Sequence, residues 1–119
     1  MLTSQVSTSK VDFEIGRLDT FTDKWPHPDK SYCSRQKMAQ AGFFFSGRND
    51  MVQCFCCGIK LEGWDPEEDK PWQKHQKTCS FGLRKKREGE LTIPELIDVQ
   101  ASKAKHLIDS KYSKTLTNQ

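Results

Sequence analysis

The cysteines in the middle of this chain constrain its fold more than any other feature. Residues 54–57 read Cys-Phe-Cys-Cys, and His75 and Cys79 follow within a short distance. Cys54 and Cys57 have the two-residue separation that directs two sulfurs at one point. Three thiols and one imidazole form a ligand set that Zn²⁺ takes at tetrahedral structural sites. We therefore predict one zinc ion per chain, held by Cys54, Cys57, His75 and Cys79.

Three other interpretations of these cysteines are weaker. A disulfide framework fits poorly, because the five cysteines are an odd number and three of them crowd into four positions. A nucleophilic Cys–His pair lacks a third residue to orient His75, and a closed zinc site leaves no position open for water. Buried free cysteines would not need this spacing. We expect Cys56 to be a spare thiol and Cys33 to lie in the core.

Composition limits both the core and the class of function. The chain has 119 residues, of which 34% are hydrophobic, and its mean hydropathy is −0.78. A core this small benefits from a metal. The net charge of +3 is too low to indicate direct nucleic-acid binding. Residues 1–5 lack the apolar run of a secretory signal, and no later stretch is apolar enough to span a membrane. We expect a non-enzymatic protein of a reducing compartment, since no catalytic constellation is present.

Local patterns predict an α+β domain between two extensions. The predicted parts are a flexible tail at 1–11, a zinc-binding domain at 12–90 and a C-terminal helical extension at 91–119. The predicted elements are a helix at 35–41 capped by Ser34 and stopped by Gly42, and strands at 43–45, 51–55 and 59–62. A further helix, capped by Asp69 and with Pro71 in its first turn, is predicted to carry Trp72, His75 and Cys79.

The C-terminal extension has the pattern of an amphipathic helix. Thr92 and Glu95 form a capping box at its start. Apolar residues then recur at spacings of three and four, and they are Ile93, Leu96, Ile97, Ala101, Ala104, Leu107 and Ile108. We expect part of this stripe to pack on the domain. The basic run at 84–87 is interpreted as a solvated linker rather than a contact for DNA, an acidic partner or an import receptor.

Several motifs together resemble the baculoviral inhibitor-of-apoptosis repeat (BIR) family. They are Arg-Leu-Asp-Thr-Phe at 17–21, Trp-Pro at 25–26, Met-Ala-Gln-Ala-Gly-Phe at 38–43, Val-Gln-Cys-Phe at 52–55, Leu-Glu-Gly-Trp at 61–64 and Pro-Trp at 71–72. The resemblance covers residues 13–85 and implies a three-stranded antiparallel sheet ringed by short helices, with zinc on the four residues named above. The family usually leaves six residues between the last two ligands, whereas this chain has three.

Within that family the chain resembles the survivin branch, because of residues 61–66 and the tail from 90 to 105. The resemblance implies a scaffold subunit of the chromosomal passenger complex in mitosis and cytokinesis. It implies a nuclear location at centromeres and the spindle midzone, as well as in the cytoplasm. The alternative is an apoptosis inhibitor that captures caspases or their alanine-starting antagonists. The second tryptophan that such relatives use is absent at 76–78, which favours the first interpretation.

The resemblance also implies a binding site for a peptide that begins with alanine, such as a histone tail or an apoptotic antagonist. Its expected residues are Lys60, Leu61, Glu62, Trp64, Asp65 and Glu68. Glu68 would bind the terminal ammonium, Glu62 would pair along the peptide, and Leu61 and Trp64 would enclose the alanine. The peptide would add as a strand beside 59–62. Ile59 stands where survivin has a phosphate-contacting lysine, which favours alanine recognition over phosphate recognition.

Two further alternatives concern the acidic run and the extension. Without the resemblance, the acidic residues at 65–69 would be interpreted as a solvated loop. The positions that match the homodimer and partner interface of the family are Ile93, Leu96 and Ile97. We therefore predict a homodimer, or a helix bound to the helical subunits of a mitotic complex.

Overall fold

The fold places a small sheet among short helices and ends in one long helix. A computed structural model of the protein describes the backbone of residues 10–117 and the side chains of residues 10–106. Its helices are α1 (Glu14–Asp19), α2 (Arg35–Gln40), α3 (Ser80–Arg84) and α4 (Ile93–Thr117), and its strands are β1 (Phe43–Phe45), β2 (Val52–Cys54) and β3 (Lys60–Leu61). Between residues 10 and 117, 3₁₀ turns span Lys10–Asp12, Pro71–Lys74 and Glu88–Glu90. The predicted α+β class is confirmed; most of the predicted N-terminal tail, residues 1–9, lies outside the described residues.

The three predicted strands form one antiparallel sheet in the order β1-β2-β3. Phe43 pairs with Cys54, and Val52 pairs with Leu61, so the sheet delivers Cys54 at the end of its central strand. The alternating burial of β1 and β2 turns one face toward the core. As β3 is an edge strand, one of its sides is available for a further strand.

Helix α2 begins where the sequence predicts and ends at Gln40, one residue before the predicted end. The Ser34 hydroxyl accepts a hydrogen bond from the Lys37 N–H at 3.1 Å, which caps the helix. Gly42 follows with φ of +98°. A side chain there would also meet the Phe81 ring, so Gly42 is needed both for the turn and for packing.

Aromatic rings and the ligand cysteines share one core. Phe21 stacks on Phe45 at 5.7 Å, and Trp25 meets Phe21 edge-on at 4.9 Å. The Trp25 indole also donates to the Cys33 carbonyl at 3.0 Å, which satisfies its buried polar atom. Burying such rings supplies most of the apolar stabilisation available to a domain of this size.

The predicted helix through Trp72, His75 and Cys79 is wrong. The chain forms a 3₁₀ turn at Pro71–Lys74, becomes extended at His75, and starts α3 after Cys79, which is the N-cap. The Trp72 ring stacks on Phe81 at 5.2 Å, and this packing needs a break between the two short helices. The predicted Asp69 cap is also wrong, because its carboxylate accepts the Asp65 N–H at 2.8 Å.

Helix α4 confirms its predicted cap but turns a different face toward the domain. The Thr92 N–H donates to Glu95 at 2.9 Å, and the Thr92 hydroxyl accepts from the Glu95 N–H at 3.3 Å. Up to residue 106, the buried apolar residue of the helix is Val99, which the predicted stripe did not contain. Ala101 and Ala104 of the predicted stripe are exposed, so these two residues are not part of the packing on the domain. The side chains of Leu107 and Ile108 lie outside the described residues.

The basic run at 84–87 was predicted to be a solvated linker. In the structure, three of its side chains form ion pairs with other elements. Arg84 pairs with Asp98 at 2.6 Å, Lys86 with Glu95 at 3.0 Å and Arg87 with Glu14 at 2.6 Å. These pairs join the end of α3 to both α1 and α4. Within residues 10–117, no helix has the length and apolar character needed to cross a membrane.

Candidate metal centre and peptide-binding surface

The four predicted metal ligands come together in the structure. The ligand atoms of Cys54, Cys57, His75 and Cys79 all lie within 4.8 Å of one another. The Cys54 and Cys79 sulfurs are 3.8 Å apart, and the His75 Nδ1 lies 3.5 Å from the Cys79 sulfur. Three sulfurs and one nitrogen at such distances fit one tetrahedral ion. The shortened segment between His75 and Cys79 therefore still brings both ligands to one point.

Backbone N–H groups surround the sulfurs and orient them. The Cys54 sulfur accepts from the N–H groups of Cys56 at 3.3 Å and Cys57 at 3.4 Å. Gly58, with φ of +76°, closes this turn by donating its N–H to the Cys54 carbonyl at 3.0 Å. The Cys79 sulfur accepts from the Gly82 N–H at 3.3 Å, at the start of α3. These donors favour thiolates over thiols, as a metal site requires.

His75 is held in the tautomer that suits ligation. Its Nε2 lies 2.6 Å from the Ala41 carbonyl, so this nitrogen donates its proton there. The Nδ1 then carries a lone pair and faces Cys79. The ring also stacks on Phe43 at 4.6 Å, which fixes its plane. A histidine ligand whose second nitrogen bonds a carbonyl is the usual arrangement at metal centres.

The thiols of the cluster differ in pKa because burial and the hydrogen bonds between them act differently on each one. Burial raises the pKa of Cys54 to about 12. A hydrogen bond from Cys54 holds the pKa of Cys57 far below its ordinary value. Hydrogen bonds with Cys54, Cys56 and Cys57 raise the pKa of Cys79. Because a bound metal needs thiolates, its binding by this cluster releases the protons that Cys54 and Cys79 hold most strongly.

Arg17 is a buried cation beside the metal centre that the ligand spacing did not reveal. Its guanidinium lies 4.5 Å from the Phe55 ring centre, and its Nε donates to the Ala39 carbonyl at 2.8 Å. Burial lowers the pKa of Arg17, while the charges of Glu88, Glu14 and Cys54 oppose that shift. A positive charge here offsets the negative charge of three thiolates bound to one divalent ion.

The two remaining cysteines are both buried, which was predicted for Cys33 only, and their surroundings differ. The Cys33 thiol lies 3.7 Å from the Asp65 carbonyl and 3.5 Å from the Asp69 carbonyl, and burial raises its pKa to about 11. The Cys56 sulfur lies against the metal cluster, where a hydrogen bond with Cys79 lowers its pKa to about 6 despite burial.

The residues predicted for peptide binding follow one another along β3 and the acidic loop, defined here as residues 65–69. Lys60 and Leu61 form β3, and Glu62 follows it as an exposed residue. The acidic loop is closed by hydrogen bonds to the Asp65 carbonyl from the N–H groups of Glu68 at 3.2 Å and Asp69 at 2.8 Å. The side chains of Asp65, Glu67 and Glu68 are exposed.

Asp50 holds the chain between β3 and the acidic loop, and sequence reasoning missed it. Its carboxylate accepts the N–H groups of Gly63 and Trp64, both at 2.8 Å, and the His27 Nε2 lies 2.9 Å away. Although burial opposes ionisation, these hydrogen bonds lower the pKa of Asp50. Trp64 is 7% exposed and meets Phe43 edge-on at 5.7 Å. Its indole N–H has no hydrogen-bond partner among the described residues.

The predicted interface residues lie together on the first two turns of α4. Ile93 is 74% exposed, Ile97 59% and Leu96 42%. A second exposed apolar group lies on and before α1, at Phe13, Ile15 and Leu18. Exposed apolar groups of this kind commonly mark protein contacts.

Comparison with known proteins identifies the family. The model of the Inhibitor of Apoptosis domain, BIR, matches residues 17–82, which contain all four ligands. This chain belongs to the BIR family. The predicted membership is therefore confirmed, and so is the resemblance to the survivin branch, because the similar proteins bear that family's names.

Two of these BIR relatives cover most of the chain. Baculoviral IAP repeat-containing protein 5 of Mus musculus is 37% identical over 98 residues, which are 77% of this chain and 69% of that protein. Baculoviral IAP repeat-containing protein 5.2 of Xenopus tropicalis is 34% identical over 108 residues, which are 86% of this chain and 68% of that protein. This BIR chain therefore has an inhibitor-of-apoptosis or survivin type of role.

A solved BIR structure agrees with the fold. The crystal structure of DIAP1 BIR1 bound to a Grim peptide superposes with a TM-score of 0.52 and is 33% identical in sequence. The match covers 74% of this chain and 89% of that one. The three-stranded sheet and the metal-binding cluster of this chain are thus those of a BIR domain.

Proposed function

We propose that this BIR protein is a non-enzymatic recognition and scaffold module that binds peptides beginning with alanine. The observation that carries the proposal is the position of an unpaired sheet edge, β3, directly before the acidic loop. In this proposal the protein joins the chromosomal passenger complex through α4. It then acts in mitosis and cytokinesis at centromeres and the spindle midzone, and it is also present in the cytoplasm.

One Zn²⁺ per chain is the proposed cofactor. The three sulfurs and the imidazole of the metal centre suit a d¹⁰ ion that prefers tetrahedral sulfur and nitrogen ligands. All four ligands come from the protein, so the ion has a structural role. Its part in the proposed function is to hold β2, the turn after it and α3 together behind the peptide surface.

The bound peptide would extend the sheet. Because β3 is an edge strand, its free backbone groups can pair with an extended peptide, in the mode called β-strand addition. Leu61 is half-buried on β3 and offers an apolar wall beside the peptide. Main-chain pairing supplies affinity without selecting side chains, so specificity must come from the end of the peptide.

The acidic loop supplies negative charge that attracts the N-terminal ammonium of the peptide. A free N-terminal ammonium is a cation with three donors, and Glu68, Asp65 and Glu62 are exposed carboxylates that accept such bonds. Charge-assisted hydrogen bonds contribute roughly 1.5–3 kcal/mol each. In this proposal the small first side chain, alanine, lies against the narrow exposed part of the Trp64 ring, which is 7% exposed.

The comparison with DIAP1 BIR1 supports this mode of binding, because that domain was crystallised with a Grim peptide. The alternative function, capture of caspases or of their alanine-starting antagonists, is favoured by the same neighbour. Residues 76–78, Gln-Lys-Thr, offer no second tryptophan to cover such a peptide, which favours the chromosomal role.

The direct test is a titration of the full chain with three forms of an alanine-starting histone-tail peptide. The forms are free, N-acetylated, and phosphorylated on the third residue. We expect acetylation to weaken binding by at least about tenfold, because it removes the ammonium charge. Similar affinity for the acetylated and free peptides would overturn the proposed site. Similar binding with and without phosphate would support recognition of alanine alone.

A pair of matched variants locates the ammonium. Glu68→Gln is expected to weaken binding of the free peptide by about tenfold, as one charge-assisted bond is replaced by a neutral one. Glu67→Gln changes the same charge in the same exposed loop and is expected to leave binding within about twofold. Equal effects of the two variants would indicate general attraction by the loop rather than a defined site.

The proposed partner contacts use the exposed apolar residues of α4, Ile93, Leu96 and Ile97. We expect light scattering of the full chain to give the mass of a homodimer, or a heteromer once helical passenger subunits are added. Leu96→Glu should abolish the larger species. A wild-type protein that remains a monomer at high concentration, alone and with those subunits, would contradict this part of the proposal. Centromere and midzone staining in dividing cells would separate the chromosomal role from diffuse antagonist capture.

A further inference from the structure

Tyr32 lies on the surface of the domain beside two positive charges. The residue is 41% exposed. The ammonium groups of Lys37 and Lys70 each lie 5.3 Å from the centre of its ring. At this distance a cation is attracted by the negative face of an aromatic ring. These three residues are called the tyrosine–lysine cluster below.

Folding assembles the cluster from two parts of the chain. Lys37 lies on α2, and Tyr32 comes shortly before that helix. Lys70 directly follows the acidic loop. The Tyr32 N–H donates to the Pro66 carbonyl at 3.0 Å, which holds the segment before α2 against the acidic loop. The cluster therefore has a defined place beside that loop.

The side-chain donors of the cluster have no acceptor within residues 10–106. No carboxylate oxygen of this part of the chain lies within 4.0 Å of the ammonium of Lys37 or Lys70, and the Tyr32 hydroxyl makes no hydrogen bond there. The carboxylate of Asp69 is next to Lys70 in sequence, yet it pairs with Lys74 at 3.3 Å. Two ammonium groups and one hydroxyl thus remain available to a ligand.

The number of charges indicates the kind of ligand. A phosphate monoester carries a charge of about −1.5 to −2 at neutral pH and has three oxygen acceptors. The two lysines balance that charge, and the tyrosine hydroxyl is a further donor beside them. A carboxylate would balance only one of the two lysines.

We propose that the tyrosine–lysine cluster binds a phosphorylated side chain of a partner protein. The proposed alanine-starting peptide pairs with β3, which ends before the acidic loop, whereas Lys70 follows that loop. The two surfaces also attract opposite charges, because the acidic loop binds an ammonium and the cluster binds a phosphate. This inference goes beyond the proposed function and does not depend on it.

The test uses the full chain labelled with ¹⁵N and an N-acetylated peptide that carries one central phosphoserine. The acetyl group removes the N-terminal ammonium, so the peptide cannot use the acidic loop. At constant ionic strength, which keeps general charge screening equal, we expect saturable shifts of the amide signals of Tyr32, Lys37 and Lys70. Inorganic phosphate, the smallest probe, should shift the same signals. Equal affinity for the unphosphorylated peptide would overturn the inference.

Variants matched in charge assign the binding to the cluster. Lys37→Gln together with Lys70→Gln should weaken phosphopeptide binding by at least about fivefold, because two charged contacts are lost. Lys24→Gln together with Lys85→Gln removes the same charge from exposed positions outside the cluster and should change binding by less than about twofold. Equal losses in the two double variants would overturn the inference. Replacing Lys37 and Lys70 by arginine keeps both charges and should retain binding.

Glu68→Gln separates this site from the proposed function. The variant should leave binding of the acetylated phosphopeptide within about twofold, because it changes only the acidic loop. Loss of phosphopeptide binding in Glu68→Gln would contradict a separate site. If alanine-starting peptides do not bind at all, the proposed function fails, while saturable phosphopeptide binding that needs Lys37 and Lys70 would still support the cluster.

Discussion

The metal centre and helix α4 are held in the protein by different kinds of contact. At the metal centre, each ligand residue is also fixed by the backbone or by ring packing, as the bond from His75 to Ala41 and the stacking on Phe43 illustrate. Among its side chains up to residue 106, which the structure describes, helix α4 has one buried apolar residue, Val99, and its other contacts there include ion pairs and hydrogen bonds.

This difference separates two levels of stability. Partly exposed ion pairs contribute typically 0–1 kcal/mol each, whereas structural zinc contributes about 10–16 kcal/mol in small peptides. The position of α4 therefore depends on an intact metal centre, but the metal centre does not depend equally on α4. Such an arrangement suits a helix that exchanges weak contacts within the chain for contacts with a partner.

Removal of the metal is expected to have the largest effect, because it should destabilise both the metal centre and helix α4. A strong chelator is expected to unfold the domain and release α4 together, because about 10 kcal/mol or more of apparent stability comes from the ion. Circular dichroism melting with and without chelator measures this, and added Zn²⁺ should restore the transition. An unchanged melting curve in excess chelator would contradict a structural metal.

Gly82→Ala should damage the metal centre from the side of α3. A methyl group at this position would overlap Cβ and Cγ of His75, and neither can move without disturbing the ligand. We expect a loss of about 1–3 kcal/mol in unfolding free energy, with weaker metal binding. Denaturant titration and metal competition measure the two effects. Gly89→Ala is the control, since a methyl group there meets nothing within 4 Å.

Val99→Ala should loosen α4 and leave the metal centre intact. Removing two buried methyl groups is expected to cost about 2 kcal/mol in the local opening of the helix. Hydrogen exchange of the α4 amides measures that opening, and metal affinity should stay within about twofold. Ile97→Ala is the control, as Ile97 is 59% exposed. A large loss of metal affinity in Val99→Ala would show that the two regions are one unit.

Acid should produce the smallest effect, at the start of α4. Hydrogen bonds from the Thr92 N–H and from Lys86 lower the pKa of Glu95 to about 2, below its ordinary value of 4.5. Because the folded pKa is the lower one, this contribution is fully present above pH 4.5 and is lost as the pH falls toward about 2.

The Glu95→Gln variant isolates that contribution. Hydrogen exchange near Thr92 should be faster in Glu95→Gln than in the wild type near neutral pH, and the two should converge in acid. Because acid also releases the metal, the two proteins are compared only at pH values at which both are shown to retain their metal. A difference that persists below the folded pKa of Glu95 would assign the effect to packing instead of charge.

Much of the β-sheet region followed from local sequence signals. Ser34 and Gly42 mark the ends of α2, and the alternation of residues around β2 and β3 indicates the hairpin. These signals are local because caps and turns need particular side chains and backbone angles at single positions. The spacing of Cys54 and Cys57 likewise identifies two ligands without knowledge of the fold.

The errors arose where distant residues decide the local conformation. The segment from Pro71 to Cys79 has a helix-like spacing, but stacking of Trp72 on Phe81 and the bond from His75 to Ala41 require a break. On α4, periodicity located an apolar stripe. The contacts of Val99 and Glu95 with the rest of the protein nevertheless turned another face inward.

Local sequence signals were sufficient to predict the candidate metal ligands, the three strands, the capping of α2 and α4, and membership of the BIR family. Folding, in contrast, sets the burial of Arg17 beside the sulfurs and the anchoring of Trp64 by Asp50. The physical reason is the range of the interactions. Ligand spacing, caps and turns act within a few residues, whereas burial, charge compensation and the choice of a packed face depend on groups brought together by folding.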